Sequence, residues 1–294
     1  MARESILACD VGGTRLRVAI AEPDGSVHSK RVIPTPPNDP AALPLMMREV
    51  RDNAEGKIAG AVVGIPGPID YARGKPLRLP NLPNWEGRVS AERLSSDFGI
   101  PVCLANDADL AALGEHRYGA GRGSRDMLYV TSSTGVGAGV ILDGRLLRGR
   151  LSLAEAGHTI IDRSTGGTVE GLGSGTALAR LSGEDPASIV ARAKSGDAEA
   201  LRCFASVAEA FAVGVFNLMH CFSPEIVVIG GGMSQAGDLL LDPIRTMLNQ
   251  CGAKCPSSQA EIVRAKGGDD VGLRGAWVYW AECRENVEHF RKGL

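Results

Sequence analysis

The sequence contains few aromatic residues and no excess of either charge. Phenylalanine, tyrosine and tryptophan make up 4% of its 294 residues, and the formal net charge at pH 7 is −2. A chain with so little positive charge lacks the basic surface by which nucleic-acid-binding proteins hold phosphate backbones. No apolar run reaches membrane-spanning length, and no secretory apolar segment precedes the first predicted strand. We therefore expect a cytoplasmic protein that binds neither nucleic acid nor membrane.

Cysteine is present without the spacing of a disulfide framework or a metal site. The seven cysteines are odd in number and scattered along the chain, which is typical of reduced thiols in a reducing compartment. Cys251 and Cys255 form the closest pair, and no matching Cys or His pair follows to complete a zinc site. Free thiols are the interpretation that this pattern favours.

Glycine is what the sequence has in abundance. It contains 38 glycines, against six phenylalanines and four tyrosines. Such a composition is typical of α/β proteins that bind nucleotides through main-chain amides at tight turns. A chain of this length, with 44% hydrophobic residues, is also long enough to bury the cores of two domains.

The first functional candidate is the segment Asp10-Val11-Gly12-Gly13-Thr14, directly after the apolar residues 6–9. The pattern predicts a β-hairpin whose turn approaches an anion closely, because glycine places no Cβ in the way. Thr14 adds a hydroxyl donor, and the Asp10 carboxylate is suited to hold a phosphate-bound Mg²⁺ through water. An ordinary Gly-Gly hairpin turn explains the segment equally well on its own.

A second hairpin repeats this arrangement further along the chain. Residues 127–142 are predicted as strand, turn and strand, and the turn carries Thr134, Gly135 and Gly137. Two halves that each open with a turn of this size indicate internal duplication. A third glycine cluster, Gly230-Gly231-Gly232, follows the predicted strand at residues 226–229.

Asn106 and Asp107 lie between a short buried strand, residues 101–105, and a predicted helix, residues 108–118. A carboxylate at the end of a buried strand is held rigidly enough to accept a proton during a reaction. The competing interpretation is a helix cap, because Asn and Asp are common there. The Pro- and Asn-rich segment 70–88 is predicted as an ordered loop that faces a substrate, with Trp85 as one of its packing residues.

Taken in order, the motifs resemble those of one family. They are Asp10-x-Gly-Gly-Thr14, Asn106-Asp107, Thr134-Gly135-x-Gly137-x-Gly139, Glu155-x-Gly157-His158, Glu170 and Gly230-Gly231-Gly232. The chain resembles the ROK (repressor, open reading frame, kinase) sugar kinases from about residue 5 to the C-terminus. The resemblance is to the kinase branch, because five residues before the first strand leave no room for the helix-turn-helix of the family's repressors.

The resemblance implies an α/β protein of the actin/hexokinase/Hsp70-like fold, with two α/β domains flanking a cleft. We expect a small N-terminal domain, residues 1–118, completed by a C-terminal helix at about residues 276–294. Residues 119–275 are expected to form the larger second domain. A homodimer is also implied.

The resemblance further implies roles for individual residues. In the first phosphate loop it places Asp10, Gly12, Gly13 and Thr14, with Asp10 nearest the magnesium ion. The residues that it implies for the second phosphate loop are Thr134, Gly135 and Gly137. Those that it implies for the adenosine site are Gly230, Gly231 and Gly232, where a side chain would obstruct the base and the ribose. On the sugar it places Asn106, Glu155, His158 and Glu170, with Asp107 as the catalytic base and Gly67 and Asn81 as weaker candidates.

The chain departs from the family pattern after His158. Most members carry a Cys-x-Cys…Cys cluster there, which binds structural zinc together with the histidine. Residues 162–170 contain no cysteine, so we expect no structural zinc, and His158 is released from ligation.

These observations predict a kinase that uses ATP and Mg²⁺ to phosphorylate a primary hydroxyl of a hexose or amino sugar, of the glucose or N-acetylmannosamine type. Alternatives that stay open are a kinase of a cyclitol or of an antibiotic-pathway amino sugar, and a sugar sensor without catalytic activity. Polyphosphate stays open as the phosphoryl donor.

Overall fold

The computed structural model describes residues 4–79, 81–151, 155–251 and 259–292, with side chains up to residue 284. Its strands, in chain order, are β1 (Ser5–Val11), β2 (Arg15–Ala21), β3 (Val27–Pro34), β4 (Ile58–Ile65), β5 (Ile69–Asp70), β6 (Lys75–Pro76), β7 (Val102–Asn106), β8 (Met127–Ser132), β9 (Val136–Leu142), β10 (Arg145–Leu146), β11 (Ile160–Asp162), β12 (Gly167–Thr168), β13 (Ile226–Gly230) and β14 (Glu261–Arg264). Its α-helices are α1 (Ala42–Asp52), α2 (Ala91–Phe98), α3 (Asp107–Tyr118), α4 (Val169–Gly173), α5 (Gly175–Ser182), α6 (Pro186–Lys194), α7 (Ala198–Phe222), α8 (Asp238–Cys251) and α9 (Val271–Lys292).

The chain divides into two compact units. The first contains residues 1–119, 148–153 and 267–294, and the second contains residues 120–147 and 154–266. The boundaries expected from the sequence differ, since they assign 148–153 and 267–275 to the second unit. The backbone N–H of Gly267 donates to the buried Glu115 carboxylate of α3 at 2.6 Å, which fixes the chain to the first unit ahead of α9.

Both units are built on the same sheet topology. The strand order is β3-β2-β1-β4-β7 in the first and β10-β9-β8-β13-β14 in the second. In each, the first three strands are antiparallel neighbours and the last two join in parallel. This repeated α/β topology agrees with the duplication predicted from the two hairpins, and the glycine turns connect β1 to β2 in one sheet and β8 to β9 in the other.

The first unit is completed by the C-terminal helix α9, which packs on α3, β1 and β4. Trp280 of α9 lies over Gly60 of β4, and a Cβ at position 60 would come within 2.1 Å of the indole ring. The ring therefore occupies a space that exists because residue 60 has no side chain. Trp85 is fully buried, as the sequence predicts for a packing residue, and its Nε1–H donates to the Pro36 carbonyl at 3.0 Å.

The second unit has the 25-residue helix α7 through its core. In the described part of the chain, α7 is the one helix that is long and apolar enough to cross a membrane by length and composition. Its buried side chains, among them Phe204, Val207 and Phe211, belong to the hydrophobic cluster of this unit. Packing against the sheet and the neighbouring helices accounts for its apolar character.

Candidate active site

The glycine turn between β1 and β2 is fixed by hydrogen bonds to its backbone, while its tip is exposed. The Gly12 N–H donates to the Arg15 carbonyl at 2.9 Å, and a Cβ on Gly12 would stand 3.1 Å from that oxygen. Thr35 braces the turn, since its hydroxyl donates to the Gly12 carbonyl at 2.7 Å and its N–H donates to the Thr14 carbonyl at 3.0 Å. Gly13 and Thr14 are exposed. The turn is thus a rigid backbone loop with its tip open to solvent, which suits an anion.

Asp10, expected near magnesium, already has a cationic partner. It lies opposite Arg17 in the β1–β2 ladder, and Arg17 Nη1 donates to Asp10 Oδ2 at 2.7 Å. Burial raises the pKa of Asp10, and the charge and hydrogen bond of Arg17 lower it. The sequence analysis did not single out Arg17. The signal was available, because hairpin pairing places residues 10 and 17 on opposite strands.

The weaker sugar candidates fall into two places within the first unit. Asn81 lies against the glycine turn, where a Cβ on Gly13 would be 3.6 Å from the Asn81 Cβ. Gly67 lies with Asn106, whose Nδ2 donates to the Gly67 carbonyl at 3.1 Å. Gly67 has φ +85, and a Cβ there would meet the Arg78 carbonyl oxygen at 2.8 Å, so glycine is required by conformation and by space.

Asn106 and Asp107 mark the junction of β7 and α3. Asn106 Oδ1 accepts hydrogen bonds from the N–H groups of Ala108 and Asp109, at 2.9 and 3.3 Å. Asn106 is therefore a helix cap. Its amide nitrogen has two hydrogens and is the polar group of this side chain that is suited to bind a ligand. Asp107 is half-buried in the first turn of α3, with Oδ1 accepting from the Ala108 N–H at 2.9 Å. A negative charge is stabilised at that end of a helix.

Tyr71 and Asp109 support this junction and were missed by the sequence analysis. The Tyr71 hydroxyl donates to Asp109 Oδ2 at 2.7 Å, and Asp109 is buried. Burial and then the Asp109 charge raise the pKa of Tyr71, so the phenol stays protonated and keeps donating. The contact joins residues 38 positions apart and fixes the first turn of α3, on which Asp107 stands.

In the second unit, the turn at residues 133–135 is held by the start of α5. The Ser133 N–H donates to the Gly135 carbonyl at 2.9 Å, which closes the turn. The Gly175 N–H donates to the Ser133 carbonyl at 2.7 Å, and the Thr176 hydroxyl donates to the Thr134 carbonyl at 2.6 Å. The second glycine turn is therefore braced through its carbonyl oxygens, as the first one is.

Glu170 lies at this second turn. Its Oε2 accepts the Val136 N–H at 2.9 Å. A Cβ on Gly135 would come within 2.3 Å of that oxygen, and one on Gly157 would lie 3.3 Å from it and 2.4 Å from the Val136 carbonyl. Glycine at both positions makes room for the carboxylate. Glu170 is expected to bind a sugar hydroxyl. One of its two oxygens already accepts a hydrogen bond from the backbone of the predicted phosphate loop. Gly137 lies in β9, paired with Thr131.

Glu155 directly precedes a single turn of 3-10 helix, Ala156–His158, which contains Gly157 and His158. His158 Nε2 is 3.8 Å from Glu155 Oε2, and both side chains are more than one-third exposed. Among the described residues, no three His, Cys, Asp or Glu side chains are grouped to hold a metal ion. The segment after β11 is held by hydrogen bonds within itself. Asp162 accepts from the Ser164 N–H and hydroxyl and from the Thr165 hydroxyl, and these bonds lower the pKa of Asp162 to about 2.

The third glycine cluster begins with the last residue of β13, and two of its members are also constrained by the protein itself. A Cβ on Gly230 would come within 2.2 Å of the Tyr129 hydroxyl, and one on Gly231, which has φ +82, within 2.2 Å of the Ser132 carbonyl. These two glycines are required by packing within the protein itself. Only Gly232 of the three faces open space. The contact with Ser132 brings this cluster beside the second glycine turn.

Two α/β units of one repeated topology, each with a braced glycine turn, define a protein of the actin/hexokinase-like fold. The family model described as ROK family matches residues 6–283, and the chain belongs to that family. It is 31% identical to the glucokinase of Thermotoga maritima, over 94% of this chain and 97% of the relative.

Solved structures give the same result. The chain is similar to the ROK hexokinase of Thermus thermophilus, with a TM-score of 0.81 and 31% identity over 96% of this chain and 99% of that one. It is also similar to the ROK family glucokinase of Streptomyces griseus in complex with glucose and AMPPNP, with a TM-score of 0.80 and 28% identity over 92% and 97% of the two chains. The protein is a sugar kinase.

Proposed function

We propose that this sugar kinase transfers a phosphoryl group from ATP to the primary hydroxyl of a hexose or amino sugar, of the glucose or N-acetylmannosamine type, and that Asp107 is the general base. The observation that carries the proposal is the placement of Asp107. Its carboxylate stands at the β7–α3 junction, beside a buried asparagine that caps the helix. The glucokinases among the relatives and the neighbour bound to glucose and AMPPNP support the choice of substrates.

Each of the two glycine turns is suited to bind phosphate of a nucleoside triphosphate that carries Mg²⁺. Gly13 and Thr14 present an exposed backbone and hydroxyl, and both turns are braced from behind. Gly232 leaves open space beyond β13. The residues that would hold the nucleotide are Asp10, Gly12, Gly13, Thr14, Thr134, Gly135, Gly137, Gly230, Gly231 and Gly232. Bound there, ATP with Mg²⁺ supplies the phosphoryl group and neutralises its charge.

The chain's own residues perform the remaining tasks. Asp107 accepts the proton of the attacking sugar hydroxyl, which makes that oxygen nucleophilic. Asn106, Glu155, His158 and the remaining oxygen of Glu170 orient the other hydroxyls. A buried acceptor left without a partner is costly, so such contacts discriminate against sugars that lack a hydroxyl.

A coupled assay of ADP release over a sugar panel tests the proposal. Glucose, mannose, N-acetylmannosamine and myo-inositol are compared as acceptors, with ATP or polyphosphate as donor. We expect turnover with a hexose or amino sugar and ATP, and none with 6-deoxyglucose, which lacks the primary hydroxyl but retains the other hydroxyls. Binding of glucose without turnover of any acceptor would identify a sensor, and turnover of myo-inositol alone would identify a cyclitol kinase.

We also propose a homodimer, which the family resemblance supports, and a cytoplasmic location without nucleic-acid or membrane partners, which the composition and charge support. Sedimentation equilibrium of the full chain over a range of concentrations tests the dimer, and a single species of one chain's mass contradicts it.

A further inference from the structure

Two cysteines are neighbours in the first unit. Cys103 is in β7 and Cys283 is in α9, and the two elements are joined beside them by the hydrogen bond from the Tyr279 hydroxyl to the Leu104 carbonyl at 3.2 Å. The two thiols are near enough to act on one another's pKa, and both are reduced and partly exposed. Neighbouring thiols at the edge strand of a sheet, reachable by small solutes, can approach each other to form a disulfide.

Arg148 places a fixed positive charge beside this pair. Its Nη1 donates to the Tyr279 hydroxyl at 3.3 Å, and its Nη2 is 3.5 Å from a Glu282 carboxylate oxygen. The guanidinium carbon lies 4.9 Å from the centre of the Tyr279 ring and 5.8 Å from that of Tyr71. Arg148 is also close enough to Cys283 to act on the pKa of its thiol. The cation is thus held in place by two rings and one carboxylate.

These neighbours make the two thiols chemically unequal. The hydrogen bond from Cys103, followed by the charge of Arg148 and the hydrogen bonds from Arg148 and Tyr279, lowers the pKa of Cys283 to about 7, against the opposing effect of burial. The hydrogen bond to Cys283, followed by burial, raises the pKa of Cys103. Near neutral pH the pair therefore holds a thiolate beside a thiol, and thiolates are the reactive form. Cys9 differs, because it is fully buried and burial raises its pKa.

We propose that Cys283 and Cys103 are a peroxide-responsive thiol pair that closes into a reversible disulfide between α9 and β7. The Cys283 thiolate attacks one oxygen of hydrogen peroxide, the O–O bond breaks, and the departing hydroxide takes up a proton and leaves as water. The Cys103 thiol then attacks the sulfenic sulfur, the S–OH bond breaks, and the hydroxyl leaves with the thiol proton as a second water. Two thiols lose two electrons, and one peroxide is reduced to two waters.

Closure of this bond would act on the strand that leads to Asp107. A disulfide brings its sulfurs to about 2.05 Å, closer than two hydrogen-bonded thiols. Cys103 precedes Asn106 by three residues in β7, and the Tyr279 hydroxyl donates to the Leu104 carbonyl at 3.2 Å. The bond would thus join α9 covalently to the segment whose next residues form the candidate catalytic junction.

Peptide mapping of the full-length protein tests the proposal without reference to kinase activity. The protein is treated with a small molar excess of hydrogen peroxide, and the remaining thiols are alkylated before digestion without reductant. We expect the peptides that contain Cys103 and Cys283 to be joined, with the loss of two hydrogens, and to separate after dithiothreitol. Oxidation of the exposed Cys221 while Cys103 and Cys283 both remain alkylatable would overturn the proposal.

Variants separate the pair from general cysteine oxidation. Cys203→Ser, in the second unit, should retain the cross-link, whereas Cys103→Ser should leave Cys283 as a sulfenic acid that dimedone traps. The groups that face the pair are Arg148, Tyr279 and Glu282, with Tyr71 behind Tyr279. We expect the rate of Cys283 alkylation to have its pH midpoint near 7, and Arg148→Gln to move it upward by about one unit, toward that of an ordinary cysteine. An unchanged midpoint in Arg148→Gln would count against the pair as described.

Discussion

Glu170 Oε2 accepts a hydrogen bond from the backbone N–H of Val136 at 2.9 Å. The bond joins a residue expected to contact the sugar with a turn expected to contact the nucleotide, inside one unit. Glu155, the other candidate sugar carboxylate, faces His158 instead. The two glutamates should therefore respond differently to substitution.

Glu155→Ala is expected to raise the KM for the sugar while leaving the KM for ATP unchanged. Loss of a charged hydrogen-bond partner costs about 1.5–3 kcal/mol, or roughly ten- to a hundredfold in affinity. Glu170→Ala is expected to raise both constants, because it also releases the Val136 N–H. Glu170→Gln is the matched control, since its amide oxygen still accepts that bond and should preserve the KM for ATP. Steady-state kinetics with each substrate varied will measure this, and an unchanged KM for ATP in Glu170→Ala would contradict it.

Asp107→Asn is expected to lower kcat by roughly two to four orders of magnitude, the usual scale for loss of a general base. Sugar affinity should change little, because the amide retains the shape of the side chain and the oxygen that accepts the Ala108 N–H. Asp97→Asn, an exposed substitution on α2, is the control and should retain wild-type kcat. Turnover close to wild type in Asp107→Asn would leave this residue with a structural role only.

Arg17→Met is expected to make stability more dependent on pH. Burial already raises the pKa of Asp10 from its ordinary value of 3.8, and Arg17 opposes that rise. Without Arg17 the pKa of Asp10 rises further, so above pH 3.8 the folded state retains a proton that the unfolded state has released. The free energy of unfolding should then fall as pH increases through this window, and the loss near neutral pH should be about 1–3 kcal/mol.

Urea unfolding between pH 5 and 8 measures this effect. The double variant Asp10→Asn/Arg17→Met is the control, because it has no carboxylate to titrate at position 10 and should lose the added slope. Parallel stability curves for Arg17→Met and the wild type would show that the pair does not couple to folding.

We expect the protein to fold and work without structural zinc. A tetrahedral structural site requires four nitrogen or sulfur ligands close together, and between Cys103 and Cys203 the sequence offers only His116 and His158. A strong chelator should leave the melting temperature unchanged, and activity should return in full when Mg²⁺ is restored. Stoichiometric zinc in elemental analysis, lost together with stability on chelation, would refute this expectation.

The features that sequence patterns predicted are local ones. The glycine turn after β1 and the strand–helix junction at Asn106 are each encoded within a few consecutive residues, so alternation, glycine and capping residues suffice to place them. The resemblance to the ROK family extended these local motifs to the whole α/β fold. The cap at Asn106 is compatible with the proposed sugar contact, because the side chain accepts from the helix through its oxygen and donates through its amide nitrogen.

The features that the sequence did not predict depend on contacts between distant residues. Tyr71 and Asp109 are separated by 38 positions, and Glu115 and Gly267 by 152, so neither contact leaves a periodic pattern. The contact between Glu115 and Gly267 explains why the first unit resumes at residue 267 and not at residue 276. Gly230 and Gly231, expected to leave room for the base and ribose, are also required by contacts with β8, which only the fold shows.

The packing of Trp280 on Gly60 has a consequence for the order in which the two units can fold during synthesis. The strand that carries Gly60 is translated well before the helix that covers it. The first unit therefore cannot finish packing until α9 has been synthesised, although domains usually fold in the order in which they emerge. Residues 154–266, most of the second unit, emerge before the helix that completes the first. Until α9 emerges, the uncovered face of β4 is an apolar surface that chaperones can bind.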